Sequence, residues 1–105
     1  MRFAPESVAA FRPHLLRRGR DLAEMLAQVL AGKRPPSLAQ LLAERPGKRP
    51  EEVLREALAR IDERRRLLDT DDDRFGRCEV CGVDLGEVAL GELPWADRCQ
   101  AHASA

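Results

Sequence analysis

Cys78-Glu79-Val80-Cys81 and Cys99-Gln100-Ala101-His102 place four metal donors in two pairs of equal spacing, with 17 residues between the pairs. A two-residue gap lets both donors of a tight turn converge on one ion, and a second such pair closes the opposite edge of a tetrahedron. Gly82 suits the first turn, because glycine takes positive φ and lets backbone amides face the sulfurs. The spacing predicts a structural zinc site of Cys3His type, made by Cys78, Cys81, Cys99 and His102, with no open position for catalysis. Three thiolates and Zn2+ leave that site a net charge of −1. The other readings are a reduced Cys-x2-Cys with a bystander histidine, or a thioredoxin-like redox pair; no βαβ pattern surrounds Cys78 to support the latter.

The site also constrains how its surroundings fold. Residues 75–102 offer Phe75, Val80, Val83, Leu85, Val88, Leu90, Leu93 and Trp95 as sizeable apolar groups. These are too few to hold a separate lobe, so the ion is expected to supply folding energy directly. The whole chain has one Trp, three Phe and no Tyr. Its core must therefore come mostly from Leu, Val and Ala, and its abundance of Leu, Ala, Arg and Glu favours helices.

A first helix is expected from Pro5 or Glu6 to Ala31. Val8, Leu15, Leu22 and Val29 repeat every seven residues, with Phe11 and Met25 between them, as in a coiled-coil seam. Leu16, Leu26 and Leu30 widen the apolar stripe. Arg18 and Gly19 weaken its middle, Pro13 predicts a start or kink, and Gly32 predicts the stop. Residues 32–50 hold a short helix between two basic, Pro-containing stretches, with Ser37 and Gln40 at capping-box spacing. Pro50 opens the next helix, with Glu51 and Glu52 against its positive end, and it runs to about Leu68. Leu54, Leu58, Ile61 and Leu68 form its apolar face, extended by Val53 and Ala57 and interrupted by Arg65. Glu51–Arg55, Glu56–Arg60 and Asp62–Arg66 are expected i,i+4 pairs on a solvated outer side. The stretch DTDDDRFG then breaks the helix, its carboxylates opposing the negative helix end. His14 reads as a structural or surface residue.

Net charge is zero, yet residues 1–68 carry 15 Lys/Arg against 9 Asp/Glu, while residues 69–105 carry 3 against 9. The halves are thus +6 and −6. Either they attract each other or they meet a partner with its own charge pattern. Direct nucleic-acid binding is not expected, since no aromatic residues interleave with the arginines of RIDERRRLL. No apolar run approaches the roughly 20 residues of a membrane span, and the start MRFAPESVAAF has no signal-peptide core. A cytoplasmic protein with reduced, metal-ligating cysteines is expected.

The segment RFGRCEVCGVDLGEVALGELPWADRC resembles the zinc-finger signature of the DksA/TraR family of bacterial transcription regulators. Phe75, Gly76, Cys78, Glu79, Cys81, Gly82, Leu85, Leu90, Pro94, Ala96 and Cys99 fall in register with it. The resemblance covers about a quarter of the chain. It implies a helical hairpin joined to a zinc-binding lobe, and binding to RNA polymerase with the hairpin in the secondary channel. Three positions differ from the family pattern. His102 stands for the last cysteine, Ala89 stands where arginine is frequent, and the acidic hairpin tip is replaced by Lys33, Arg34, Arg45, Lys48 and Arg49 with Glu44.

The expected architecture is mostly α. A helical hairpin or short coiled coil, with a small third helix at its bend, occupies residues 1–70, and the zinc-finger lobe occupies residues 71–105. The expected function is regulation of transcription through protein contact, with RNA polymerase the first candidate partner. The alternative is a zinc-stabilised structural or interaction module, which could be a homodimer. No catalytic constellation is present in the sequence, so an enzyme is not expected.

Overall fold

The computed structural model describes residues 3–102; residues 1–2 and 103–105, at the ends of the two expected units, lie outside the described residues. Four α-helices follow in order: α1 (Pro5–Leu30), α2 (Leu38–Glu44), α3 (Pro50–Asp69) and α4 (Glu87–Glu92). A 3-10 turn covers Gln100–His102. There is no strand among the described residues, only an isolated antiparallel bridge between Arg77 and Asp84. No helix among them is long and apolar enough to cross a membrane.

α1 begins at Pro5, where proline's fixed φ suits the first helical position. It continues through Pro13, so the helix does not start there. Pro13 lacks the N–H that would bond the Ala9 carbonyl, but both residues are exposed, so solvent can satisfy that carbonyl. The expected stop falls at Gly32. Its φ of 83° lets Lys33 N–H reach the Gln28 carbonyl at 2.9 Å and Gly32 N–H the Val29 carbonyl at 3.0 Å. This is a Schellman cap. α3 ends in the same way with Asp71 in the left-handed position, φ 58°. Asp72 N–H meets the Leu67 carbonyl at 2.9 Å and Asp71 N–H the Leu68 carbonyl at 3.3 Å.

Ser37 departs from its expected role. Its backbone is already helical, it makes no side-chain cap, and its hydroxyl donates instead to Met25 Sδ at 3.2 Å. That bond links the short helix to α1 rather than to its own N-terminus.

α1 packs on α3. Phe11, Leu15, Leu22 and Met25 share a core with Leu54, Ile61, Leu67 and Leu68, which Leu38 of α2 and Leu90 of α4 complete. Val8, Leu26 and Val29 pack against its edge, while Leu16 and Leu30 stay exposed. Phe3, Phe11 and Phe75 form an aromatic trio, with ring centroids 5.7, 6.0 and 5.9 Å apart. The two pairs made by Phe3 are edge-to-face, and such pairs add about 0.5–1.5 kcal/mol beyond their buried area. The trio joins the start of α1 to the segment just before Cys78.

Of the expected i,i+4 pairs on α3, Glu51–Arg55 forms at 3.1 Å. Glu56 pairs instead with Lys48, Arg66 with Glu63, and Arg60 with Asp97 at 3.5 Å. Arg12 bonds Asp69 at 3.0 Å. The Arg12–Asp69 and Arg60–Asp97 pairs each join the basic half of the chain to the acidic half.

Candidate metal centre

The segment leading to the site is fixed by a short-range charge pair. Asp72 accepts the Arg74 backbone N–H at 2.9 Å and both Arg74 guanidinium contacts at 3.1 and 2.9 Å. The guanidinium bond, helped by the backbone bond, holds the Asp72 carboxyl at about 2. Phe75 then turns into the core and Gly76 takes φ 79°.

Residues 76–85 fold back on themselves. Leu85 N–H donates to the Gly76 carbonyl at 2.9 Å, and Cys78 N–H donates to the Val83 carbonyl at 2.9 Å. Gly82, with φ 77°, donates its N–H to the Cys78 carbonyl at 2.9 Å. This tight turn aims the Cys78 and Cys81 side chains in one direction. The second donor pair arrives on the 3-10 turn, where His102 N–H bonds the Cys99 carbonyl at 3.0 Å. Two links clamp the halves together: Glu79 N–H to the Asp97 carbonyl at 2.8 Å, and Arg98 to the Glu79 carboxylate at 2.8 Å.

The result brings Cys78, Cys81, Cys99 and His102 together, with one ligand atom of each within 4.8 Å of all the others. Cys81 Sγ lies 3.8 Å from Cys99 Sγ, which is far beyond a disulfide bond. His102 presents Nδ1, 3.6 Å from Cys78 Sγ and 3.2 Å from Cys99 Sγ. Metal–sulfur bonds of about 2.3 Å at the tetrahedral angle require sulfur atoms about 3.8 Å apart, and a shorter metal–nitrogen bond requires a slightly shorter edge. Two of the three edges meet that requirement, and the Cys99–His102 edge is the tight one. The donor set and its spacing are compatible with a metal ion.

Access to the four donors is uneven. Cys78 is buried, Cys99 and His102 are half-buried, and Cys81 is exposed. Burial pushes the Cys78 thiol up, but backbone N–H groups of Cys99, Cys81 and Val80 outweigh it and hold the thiol at about 6. The Cys81 thiol moves the other way. The Val83 N–H favours its thiolate, but desolvation and the neighbouring Cys78 and Cys99 sulfurs together raise it above its usual range. The surroundings thus favour the thiolate at Cys78 and the thiol at Cys81.

Sequence reasoning missed two groups beside the centre. Arg64, which the sequence reading did not single out, is only 5% exposed, and its Nε and Nη1 find no hydrogen-bond partner among the described residues. It lines one cavity with Cys78 and Arg77. Its spacing from Ile61 and Leu68, three and four residues, puts it on the buried face; that periodicity was the available signal. Asp97 is buried too, and its carboxyl is pushed up by desolvation and by Glu79, against Arg64 and Arg98. His14 is exposed and far in sequence from the cluster.

No protein-family model, no curated protein and no solved structure matches this chain.

Proposed function

We propose that the chain is a zinc-stapled helical protein that acts by binding another protein, in the manner of the DksA/TraR regulators, with RNA polymerase the first candidate. The observation that carries the reading is the Cys3His cluster, clamped by the Glu79–Asp97 and Arg98–Glu79 links beside two long packed helices. Zinc is the ion that three thiolates and one imidazole at tetrahedral edges suit best. Cys78, Cys81, Cys99 and His102 would hold it, and four protein donors leave no coordination position for a substrate. The ion is then structural and the protein is not an enzyme. Its thiols stay reduced, as in a cytoplasm.

In this reading α1 and α3 form an antiparallel hairpin, supported by Arg12 against Asp69 near one end and Gly19 against Ile61 in the middle. The bend between them carries Lys33, Arg34, Arg45, Lys48 and Arg49. Two of those charges are engaged within the fold, Lys48 with Glu56 and Arg49 with Glu52. A basic bend does not supply carboxylates beside a catalytic magnesium ion, so the action on polymerase is by docking alone.

The test is affinity purification of the zinc-loaded protein from its native host at low salt. Polymerase subunits in the eluate, absent from a Cys78→Ser control, support the reading; their absence overturns it. A second reading, a structural module paired with another copy of itself, draws on Leu16 and Leu30, which are 50% and 59% exposed on α1. Light scattering over a concentration series separates the two, since a monomer at every concentration removes the second.

A further inference from the structure

A groove of about 570 Å³ lies where α1, the end of α2, α3 and the segment before Cys99 meet, and four arginines line it: Arg18 of α1, Arg45 just after α2, Arg60 of α3 and Arg98. Against these four positive charges the lining offers two carboxylates, Glu44 and Asp97. Asp97 is held by Arg60 at 3.5 Å, and Arg98 is turned toward Glu79 at 2.8 Å. Arg18 lies over the ring of Trp95 at 5.2 Å, and Arg45 makes no ion pair with any described residue. Asp97 and Glu79 thus engage Arg60 and Arg98, which leaves Arg18 and Arg45 without a carboxylate partner among the described residues. The lining therefore keeps an excess of positive charge, four arginines to two carboxylates, that an added carboxylate would offset.

We propose that this groove is a docking site for an acidic segment of a partner protein, whose carboxylates are taken by Arg18 and Arg45 while its stem packs on Trp95. The inference rests on the protein-binding reading above and gives the partner surface its chemistry. Carboxylates are favoured over phosphates because two of the four arginines already hold carboxylates of the fold, Asp97 and Glu79. The lining contains no lysine and no glycine-rich loop to cradle a phosphate. Arginine presents a planar fork that matches a carboxylate with two parallel hydrogen bonds. Tryptophan and arginine side by side are also the residues that most often dominate binding energy at protein interfaces.

Trp95 is the chain's single tryptophan, so its fluorescence reports on the groove alone. Zinc-loaded protein at low salt is titrated with hexaglutamate, with sodium chloride at matched ionic strength as the blank. The expected result is a saturable change in Trp95 emission. Arg45→Ala weakens it at least about tenfold, the loss of one charged hydrogen-bond donor, with unchanged circular dichroism. Arg65→Ala, on the exposed side of α3, leaves it unchanged. A change no larger than the salt blank, equal binding by Arg45→Ala, or tighter binding of inorganic pyrophosphate than of hexaglutamate overturns the proposal. Capture of RNA polymerase equally well by wild type and Arg45→Glu also overturns it, while leaving the polymerase reading intact. Hexaglutamate binding without polymerase capture by either protein upholds the groove and removes polymerase as the partner.

Discussion

Gly19 of α1 faces Ile61 of α3 so closely that a Cβ at Gly19 would stand 3.3 Å from Ile61 Cγ2. A glycine within a helix is unfavourable by about 1 kcal/mol relative to alanine, and in the sequence it weakens an otherwise regular seam. The structure gives its reason: the Ile61 side chain of α3 occupies the space where a side chain at position 19 would begin.

That contact sets opposing effects against each other. Gly19→Ala gains helix propensity but pushes on a buried isoleucine, so its net effect on stability is expected to stay within about 1 kcal/mol. Ile61→Ala, which removes the Cγ2 atom that the new methyl would meet, costs about 2–5 kcal/mol alone. In the Gly19→Ala background it costs less, because Ile61→Ala makes room for the new methyl. Chemical denaturation of the double-mutant cycle measures this, and additive effects would show that the helices do not meet there.

Gly32 provides a purer backbone test. Nothing lies within 4 Å of a Cβ added there, yet its φ is 83°. Gly32→Ala therefore meets no steric obstacle outside its own backbone and is expected to destabilise by about 1–2 kcal/mol. A thermal melt that matches wild type would remove the strain argument.

The metal centre predicts a graded response to ligand loss. Cys78→Ser, at the buried donor, is expected to abolish stoichiometric zinc and lower the melting temperature to that of chelator-treated wild type. His102→Ala keeps three thiolates and is expected to bind zinc at least about 100-fold more weakly, the upper end of the losses seen even for residues that only support a ligand. Competition with a chromophoric chelator reads the affinity, and full retention of zinc by His102→Ala would falsify the four-donor assignment.

Thiol ionisation gives the pH dependence. In metal-free protein Cys78 ionises near 6, so ultraviolet thiolate absorbance at neutral pH is expected and should vanish in Cys78→Ser. Cys81 is shifted the other way and still carries its proton at neutral pH. Metal binding must displace that proton, so affinity strengthens as pH rises and weakens as pH falls. For stability without metal the sign differs between the two. The depressed Cys78 value contributes stability above its ordinary thiol range, which is lost as pH falls through about 6. The raised Cys81 value favours the folded state below its ordinary range, and that contribution is lost as pH rises through the folded value. Absorbance titration of wild type and the two serine variants checks all of this.

Local signals served well where the chain's neighbours in sequence decide the outcome. Pro50 with Glu51 and Glu52 marked the start of α3, and Gly32 marked the end of α1. The two donor pairs were legible because each sits within one turn. Contacts between distant segments were not. Phe75 read as part of a small apolar set around the cysteines, whereas it packs on Phe3 and Phe11 at the other end of the chain. Ser37 carried the capping pattern but bonds Met25, twelve residues away. The sequence placed Arg65 as an interruption of the apolar face of α3, whereas Arg65 is exposed and Arg64 is turned inward by the same helical period that buries Ile61 and Leu68. The arginine groove draws one residue from each of four segments, so no window of sequence contains it.

The uneven exposure of the four donors sets an order of events. Cys78 lies beneath the turn, while Cys81 stands at the surface on the same Cys-x2-Cys pair. Were an ion held by the four donors, an incoming chelator or thiol-reactive reagent would meet the Cys81 side first, with Cys78 shielded by the turn. A partner surface laid over Cys81 would therefore close the most open side of the cluster without reaching Cys78.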